Sequence, residues 1–262
     1  MRNTSIGAYN NVAIEVIITI FMFIFGVNFS LYYQSLKGNI RTFLRDGEFR
    51  LYLGIVLASI LLITLDLNAN VFNTIGESLR HASFQVSTII STTGYSTTDF
   101  NLWPSFSKAI LVLLMFIGAS AGSTAGGIKC IRIVLLFKVI RREILKIVHP
   151  RSVHVVKVNG KAVDEEMLSG VTVFFFAFIM IFASAVLLVS LDGKDMVTNF
   201  TAVATSIGNV GPGLGIVGPM GNFSSYSLLS KIVFSFCMIT GRLEIFPVLL
   251  LFAPSFWKRV NI

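Results

Sequence analysis

Long apolar runs alternate with short polar ones along the whole chain. The long runs occupy residues 12–33, 51–67, 109–140, 168–191 and 227–257. About 20 apolar residues wound as a helix cross a bilayer, so these runs predict about five crossings. The run at 109–140 is interrupted by GASAGSTAGG (118–127). The run at 227–257 carries Arg242, Glu244 and two prolines. Two further helices are predicted at 75–90 and 196–205, too short and too polar to span. The first leads into STTGYSTTD (91–99), the second into SIGNVGPGLG (206–215). The order is span, short helix, glycine-bearing strip, interrupted span, stated twice, an internal repeat of architecture more than of letters.

Composition narrows the class. The chain is 54% hydrophobic and 13% charged, against roughly 25% charged in a soluble domain. The net charge of +8 fits basic cytoplasmic loops better than nucleic acid. Five crossings place the basic segments 37–50, 138–161 and 258–259 on one side, the cytoplasmic one, and put both strips and the N-terminus outside. The basic segments also suit anionic lipid. The run 12–33 is too long for the apolar region of a signal peptide, and no small-residue cleavage site follows it. Cys130 and Cys237 lie far apart in apolar surroundings and read as packing residues, not a disulfide or metal pair. Asn159-Gly160 within 153–163 is a strong hairpin signal; the other reading is a flexible basic loop.

Non-helical backbone at membrane depth survives only when protein buries it or it lines a water-filled cavity. A short helix returning through an extended strip fits that exception. It offers carbonyl oxygens that can replace the hydration shell of a monovalent cation. Glycine permits the positive φ that turns successive carbonyls to one side. Thr92 and Thr93 can add oxygens or brace the strip, and Asp99 and Asp192 can attract cations at the mouth. The competing reading is a pair of ordinary polar outer loops.

GASAGSTAGGIK (118–129) looks superficially like a phosphate loop. Gly122 and Gly127 have the spacing, but Ile128 displaces the lysine, Cys130 replaces the hydroxyl and no strand precedes it. The better reading is an unwound segment beside a cavity. Arg242 falls near the middle of the last run, where a charge costs roughly 2.5–3.5 kcal/mol and needs a partner. The free carbonyls of 118–127 suit it better than Glu244, which points to another helix face; outward snorkelling is the alternative. Lys129 stands at the edge of the same loop. Glu15 is expected near the outer interface, and His81, His149 and His154 as solvated or interface residues. Phe174, Phe175, Phe176 and Phe178 are expected to face lipid and pack. No paired nucleophile and base or metal set falls in the runs, which argues against an intramembrane enzyme and calls for no cofactor.

TTGYST, GASAGSTAGGIK, SIGNVGPG and GRLEIFPV, in that order, resemble the membrane subunit of the Trk/Ktr/HKT potassium transporters across the whole chain. The resemblance implies an all-α polytopic membrane protein of repeated span–pore helix–filter–span units, with about five crossings and two re-entrant pore helices. Four such units surround one pore in that family, each giving a strip with one key glycine. Carried over, these are Gly94, flanked by Thr92, Thr93 and Tyr95, and Gly208, flanked by Ser206, Ile207 and Asn209. The gate would comprise Gly118, Gly122, Gly126, Gly127 and Lys129, with Arg242 holding it closed.

This sequence has only the third and fourth units. Residues 1–50 correspond to the closing span of a second unit and a cytoplasmic connection, 51–150 to the third unit, 151–166 to a cytoplasmic connection and 167–262 to the fourth. Two quarters of a filter cannot surround an ion, so the expected partner is a missing N-terminal half or a second membrane chain. The resemblance further implies potassium as substrate, the bacterial cytoplasmic membrane, a cytoplasmic nucleotide-binding regulatory subunit and a homodimer. The alternative is a non-conducting fragment or regulatory scaffold.

Overall fold

The computed structural model describes residues 5–38, 40–150, 154–243 and 245–251. Helices α1 (Val12–Phe25), α2 (Phe29–Leu36) and α3 (Ile40–Arg45) lead into α4 (Gly47–Asn70) and α5 (Ile75–Ile90). Then come α6 (Ser105–Ile117) and α7 (Cys130–Val148), a short hairpin of β1 (Lys157–Val158) and β2 (Lys161–Ala162), and α8 (Glu165–Ser190). The chain closes with α9 (Met196–Gly208), α10 (Leu228–Leu243) and α11 (Ile245–Leu251).

Local chemistry sets these boundaries. Asp46 caps α4 by accepting from Phe49 N, Thr74 caps α5, and Asp195 caps α9. Helix α6 is preceded by Pro104, whose ring carries no acceptor for the helix amides. Asp66, near the far end of α4, caps it from outside: Oδ2 accepts from Ser107 N at 3.1 Å and from its Oγ at 2.5 Å. The hairpin docks on the start of α4, where Asn159 accepts from Gly47 N and donates to Asp46.

Packing repeats the order read in the sequence. α4 packs on α5 and α6; α8 packs on α9 and α10. Tyr52, Ile63, Leu67, Ile90, Leu111 and Met115 fill the first core. Phe174, Phe178, Phe182, Ile207, Phe234 and Cys237 fill the second. The short helices are the most enclosed: every residue from Thr198 to Gly208 except Phe200 is buried, as is every residue from Phe84 to Ser91. The outer faces of α1, α4 and α8 expose Ile17, Phe21, Leu61, Leu65, Phe176 and Leu187. Polar helices inside and an apolar coat outside suit a hydrocarbon solvent.

Among the described residues, α4 and α8 alone are long and apolar enough to cross a membrane unaided. The other expected crossings correspond to helix pairs. Residues 12–33 do not form one straight span: α1 and α2 meet at 90°. The break at Gly26–Asn28 is docked, with Gly26 O accepting from Ser120 N and Asn28 capping Ser30 N. Glu15, four residues into α1, is 6% exposed and paired with Arg80 at 3.4 Å. His81 is likewise buried, its Nδ1 3.0 Å from Thr97 Oγ1 and its ring stacked on Phe72. Helix α5, which carries Arg80 and His81, is wrapped by α1 and α4, which takes Glu15 and His81 out of solvent and leaves Arg80 partly exposed. Phe174 and Phe178 are buried, while Phe175 and Phe176 are exposed.

Removing the distant cap should destabilise the fold. Asp66→Ala is expected to lower unfolding free energy by about 1–3 kcal/mol, and Asp66→Asn by less, in denaturant titrations of detergent-purified protein. An unchanged midpoint would show that the cap carries no stability.

Candidate functional site

The two strips lie against each other and against the glycine loop. In the first, Thr92 and Gly94 have φ of 55° and 79°, so the chain reverses direction at a β-branched residue, a strained conformation. Thr88 on α5 holds the turn: its carbonyl accepts from Thr93 N at 2.9 Å and its Oγ1 accepts from Tyr95 N at 2.8 Å. Thr93 Oγ1 also lies 2.8 Å from Ser91 Oγ. In the second strip Ser206 and Ile207 are buried in the last turn of α9, and Asn209 caps that helix in the left-handed region. Asn209 Nδ2 donates to Met238 O on α10 at 3.0 Å. Thr201 Oγ1 accepts from Leu214 N, and Asn101 bonds both the N–H and the carbonyl of Gly215.

These braces leave a set of oxygens over. Among the described residues, no hydrogen bond reaches the carbonyls of Thr92, Thr93, Gly94, Gly208, Asn209 or Val210. Gly208 and Val210 are buried, where backbone carbonyls are normally paired; the other four residues are partly or fully exposed.

The glycines serve different ends. A Cβ on Gly94 would lie 2.2 Å from Val210 O, so the strips meet there backbone to backbone. Positive φ at both strip glycines was the expectation, yet Gly208 is helical; Asn209 and Gly211 carry the positive φ instead. The constraint at Gly208 is proximity, since a Cβ would sit 2.7 Å from Met115 O.

The loop between α6 and α7 is stitched to its surroundings. Ile128 N and Lys129 N return to Phe116 O and Ile117 O, and Cys130 N to Ala119 O. Gly118, Gly122 and Gly127 have positive φ. Gly126 N donates to Thr92 Oγ1 at 3.0 Å, and a Cβ on Gly126 would lie 2.4 Å from Gly208 O. One residue of the loop thus touches both strips. Arg242 Nη1 donates to Thr124 O at 2.5 Å, and Lys129 Nζ donates to Ala125 O. Beside the loop opens a cavity of about 360 Å³, lined in part by Ser123, Thr124, Arg132, Phe174, Thr240 and Arg242.

The structure therefore brings together Thr92, Gly94, Gly208, Gly126, Lys129 and Arg242. Thr93, Tyr95, Ser206, Ile207 and Asn209 sit in the strips as braced or packed residues. Gly118, Gly122 and Gly127 shape the loop away from the strips, with a Cβ at Gly122 meeting Asn28. Asp99 and Asp192 brace outer turns, through Asn101 N and Ser227 N. Ser227's donors hold the Asp192 carboxyl below the usual carboxylate range, so it stays charged.

Three contributors escaped the sequence reading. Thr88 looks like one more hydroxyl in a short helix. Gly241, whose Cβ would lie 1.9 Å from Ile207 O, was detectable as a glycine inside an apolar helix. Glu48, which bonds the loop, passed as the ordinary acid of a helix start.

A family model described as "TrkH: Cation transport protein" matches residues 1–259. The chain is 37% identical over 260 residues to the Trk system potassium uptake protein TrkH of Salmonella typhimurium and to that of Escherichia coli K12. Each match covers 98% of this chain and 53% of the relative. The crystal structure of the potassium transporter TrkH from Vibrio parahaemolyticus superposes with a TM-score of 0.87 at 34% identity, covering 97% of this chain and 55% of that one. The chain spans about half the length of the curated relatives it matches.

Side chains at the close approaches should be tolerated unequally. Gly126→Ala and Gly241→Ala, which meet backbone, are expected to lower the thermal midpoint in detergent by several degrees. Gly54→Ala and Gly170→Ala, helical positions where a Cβ meets nothing within 4 Å, should be neutral or stabilising. Equal effects in both pairs would sink the close-packing account.

Proposed function

The chain belongs to the TrkH cation transport family, and from that premise we propose that it supplies two strips of a potassium filter and the loop that gates it. The enzymatic alternative is set aside, because the family is one of transport proteins. The observation that carries the reading is Gly126, placed against Thr92 of one strip and Gly208 of the other.

A potassium ion entering from the outer side gives up its water to oxygen ligands. The unpaired carbonyls of the two strips are the oxygens available for that exchange, and the helices behind them keep those carbonyls in place. Pre-set oxygens avoid reorganisation as the ion loses its shell, and a fixed positive charge among them would defeat entry. Lys129 and Arg242 point instead to the loop's carbonyls.

The loop lies across the inner side of the strips and blocks passage, and the neighbouring cavity gives it space to withdraw. In this reading Arg242 holds the closed arrangement. Two strips cannot encircle an ion, so the remaining ligands come from further pore units. A nucleotide-binding cytoplasmic subunit fits the basic face formed by α7 and the hairpin, where Lys138, Arg141 and Lys157 line a shallow pocket.

Growth rescue of a potassium-uptake-deficient bacterium at limiting potassium tests the reading, with the chain expressed alone and with the reading frame directly upstream. Rescue in either case supports transport, and failure in both, with the protein present in the membrane, overturns it. In a rescuing system Gly94→Ser is expected to reduce discrimination against sodium by about tenfold, measured as competing uptake. Arg242→Ala should raise basal potassium leak.

A further inference from the structure

Glu48 lies in the first turn of α4, a setting in which an acid usually faces water and complements the helix dipole. Here it is 5% exposed. Its Oε1 accepts from Ala121 N at 2.6 Å and from Ile131 N at 3.1 Å. Ala121 is near the entry of the glycine loop and Ile131 is just past its exit, in the first turn of α7. One oxygen on a rigid helix thus joins two amides separated by the whole flexible part of the loop.

The receiving side has a need that its own sequence leaves open. Helix α7 is preceded by Lys129, whose φ is 77°, which makes no side-chain cap, and its first turn holds no acid. The first amides of a helix lack intrahelical partners. Glu48 satisfies one of them from another element, placing an acceptor oxygen at the positive end of a 19-residue helix. The carrier is itself fixed, since Asp46 caps α4 and grips Asn159 of the hairpin.

We propose that Glu48 is the positioning residue of the loop: it clasps entry to exit and thereby sets the arrangement in which Gly126 meets the strips. Its consequence for ion flow rests on the gating role assigned above; its consequence for the loop does not. The clasp is chemically distinct from the Arg242 contact. Glu48 takes the loop's amides, whereas Arg242 and Lys129 take its carbonyls.

Hydrogen–deuterium exchange on the purified chain in lipid nanodiscs, resolved to single amides by fragmentation, tests this. Wild type should protect Ala121 and Ile131. Glu48→Leu is expected to speed exchange at both by roughly tenfold or more. Glu48→Gln, which keeps Oε1 as an acceptor on an amide of the same shape, should fall between. Protection through α5 and α9 should not change, and Arg242→Ala should leave the two amides protected. The proposal is overturned if Glu48→Leu leaves them slow, or if protection falls evenly through α4, α5 and α9 in both Glu48 variants. Rubidium flux in a rescuing system separates the two claims. Faster exchange with altered flux supports both; faster exchange with unaltered flux upholds the clasp and overturns the gating role of the loop.

Discussion

Backbone that leaves a helix within a bilayer must find a partner for each polar group it frees, because the surrounding hydrocarbon offers none. The rest of this structure follows from that demand. Two strips and one loop leave helical geometry, and each is surrounded by donors and acceptors from elements distant in sequence. Thr88 serves the first strip, Asn101 and Thr201 the second, and Glu48, Lys129, Arg242 and Thr92 the loop. The short helices α5 and α9 are polar because they exist to hold these segments, and they are buried because polar helices cannot face lipid. Against these braces, the strip carbonyls at residues 92–94 and 208–210 stand out because no hydrogen bond reaches them among the described residues.

Helix α4 is the common support. Its two carboxylates, Glu48 and Asp66, cap different helices, α7 and α6, on either side of the loop. Eighteen residues of helix separate them, about 27 Å at 1.5 Å per residue. One helix therefore ties the chain at the start of α6 and again at its restart after the loop. Between those two ties lie the loop glycines. Helix α10 plays the matching part for the second strip. Gly241 lets it touch Ile207 O, and the next residue, Arg242, reaches Thr124 O. One helix turn thus registers both a strip and the loop.

How much of this was readable in advance follows from the range of each signal. Apolar run length and the order of strips are local and periodic, so the fold class and the placing of α4, α5, α8 and α9 were legible. The left-handed turn at Gly94 was legible because glycine permits positive φ in a strip that leaves the helix. The bend at residues 26–28 was not, since its cause is a bond to Ser120 some ninety residues on, and the apolar run continues through it. The burial of His81 was not legible for the same reason. A lone polar residue gives no sign of whether a neighbouring helix covers it. Gly208 shows a subtler limit. Its importance was expected from backbone freedom, but the structure uses it for lack of bulk, a property that only a three-dimensional neighbour can reveal.

The contacts that hold the loop differ in shelter. Glu48 takes amides at its two ends, and Arg242 and Lys129 take carbonyls at its centre. Glu48 is 5% exposed, whereas Thr124 and Arg242 are exposed and border the cavity. A buried amide that loses its acceptor keeps its full desolvation cost. At Thr124, water can take the place of Arg242 as donor, so that contact costs less to break. The loop is therefore fastened firmly at its ends and lightly at its centre. Displacement is cheapest in the stretch from Ser123 to Ala125, next to the residue that touches both strips.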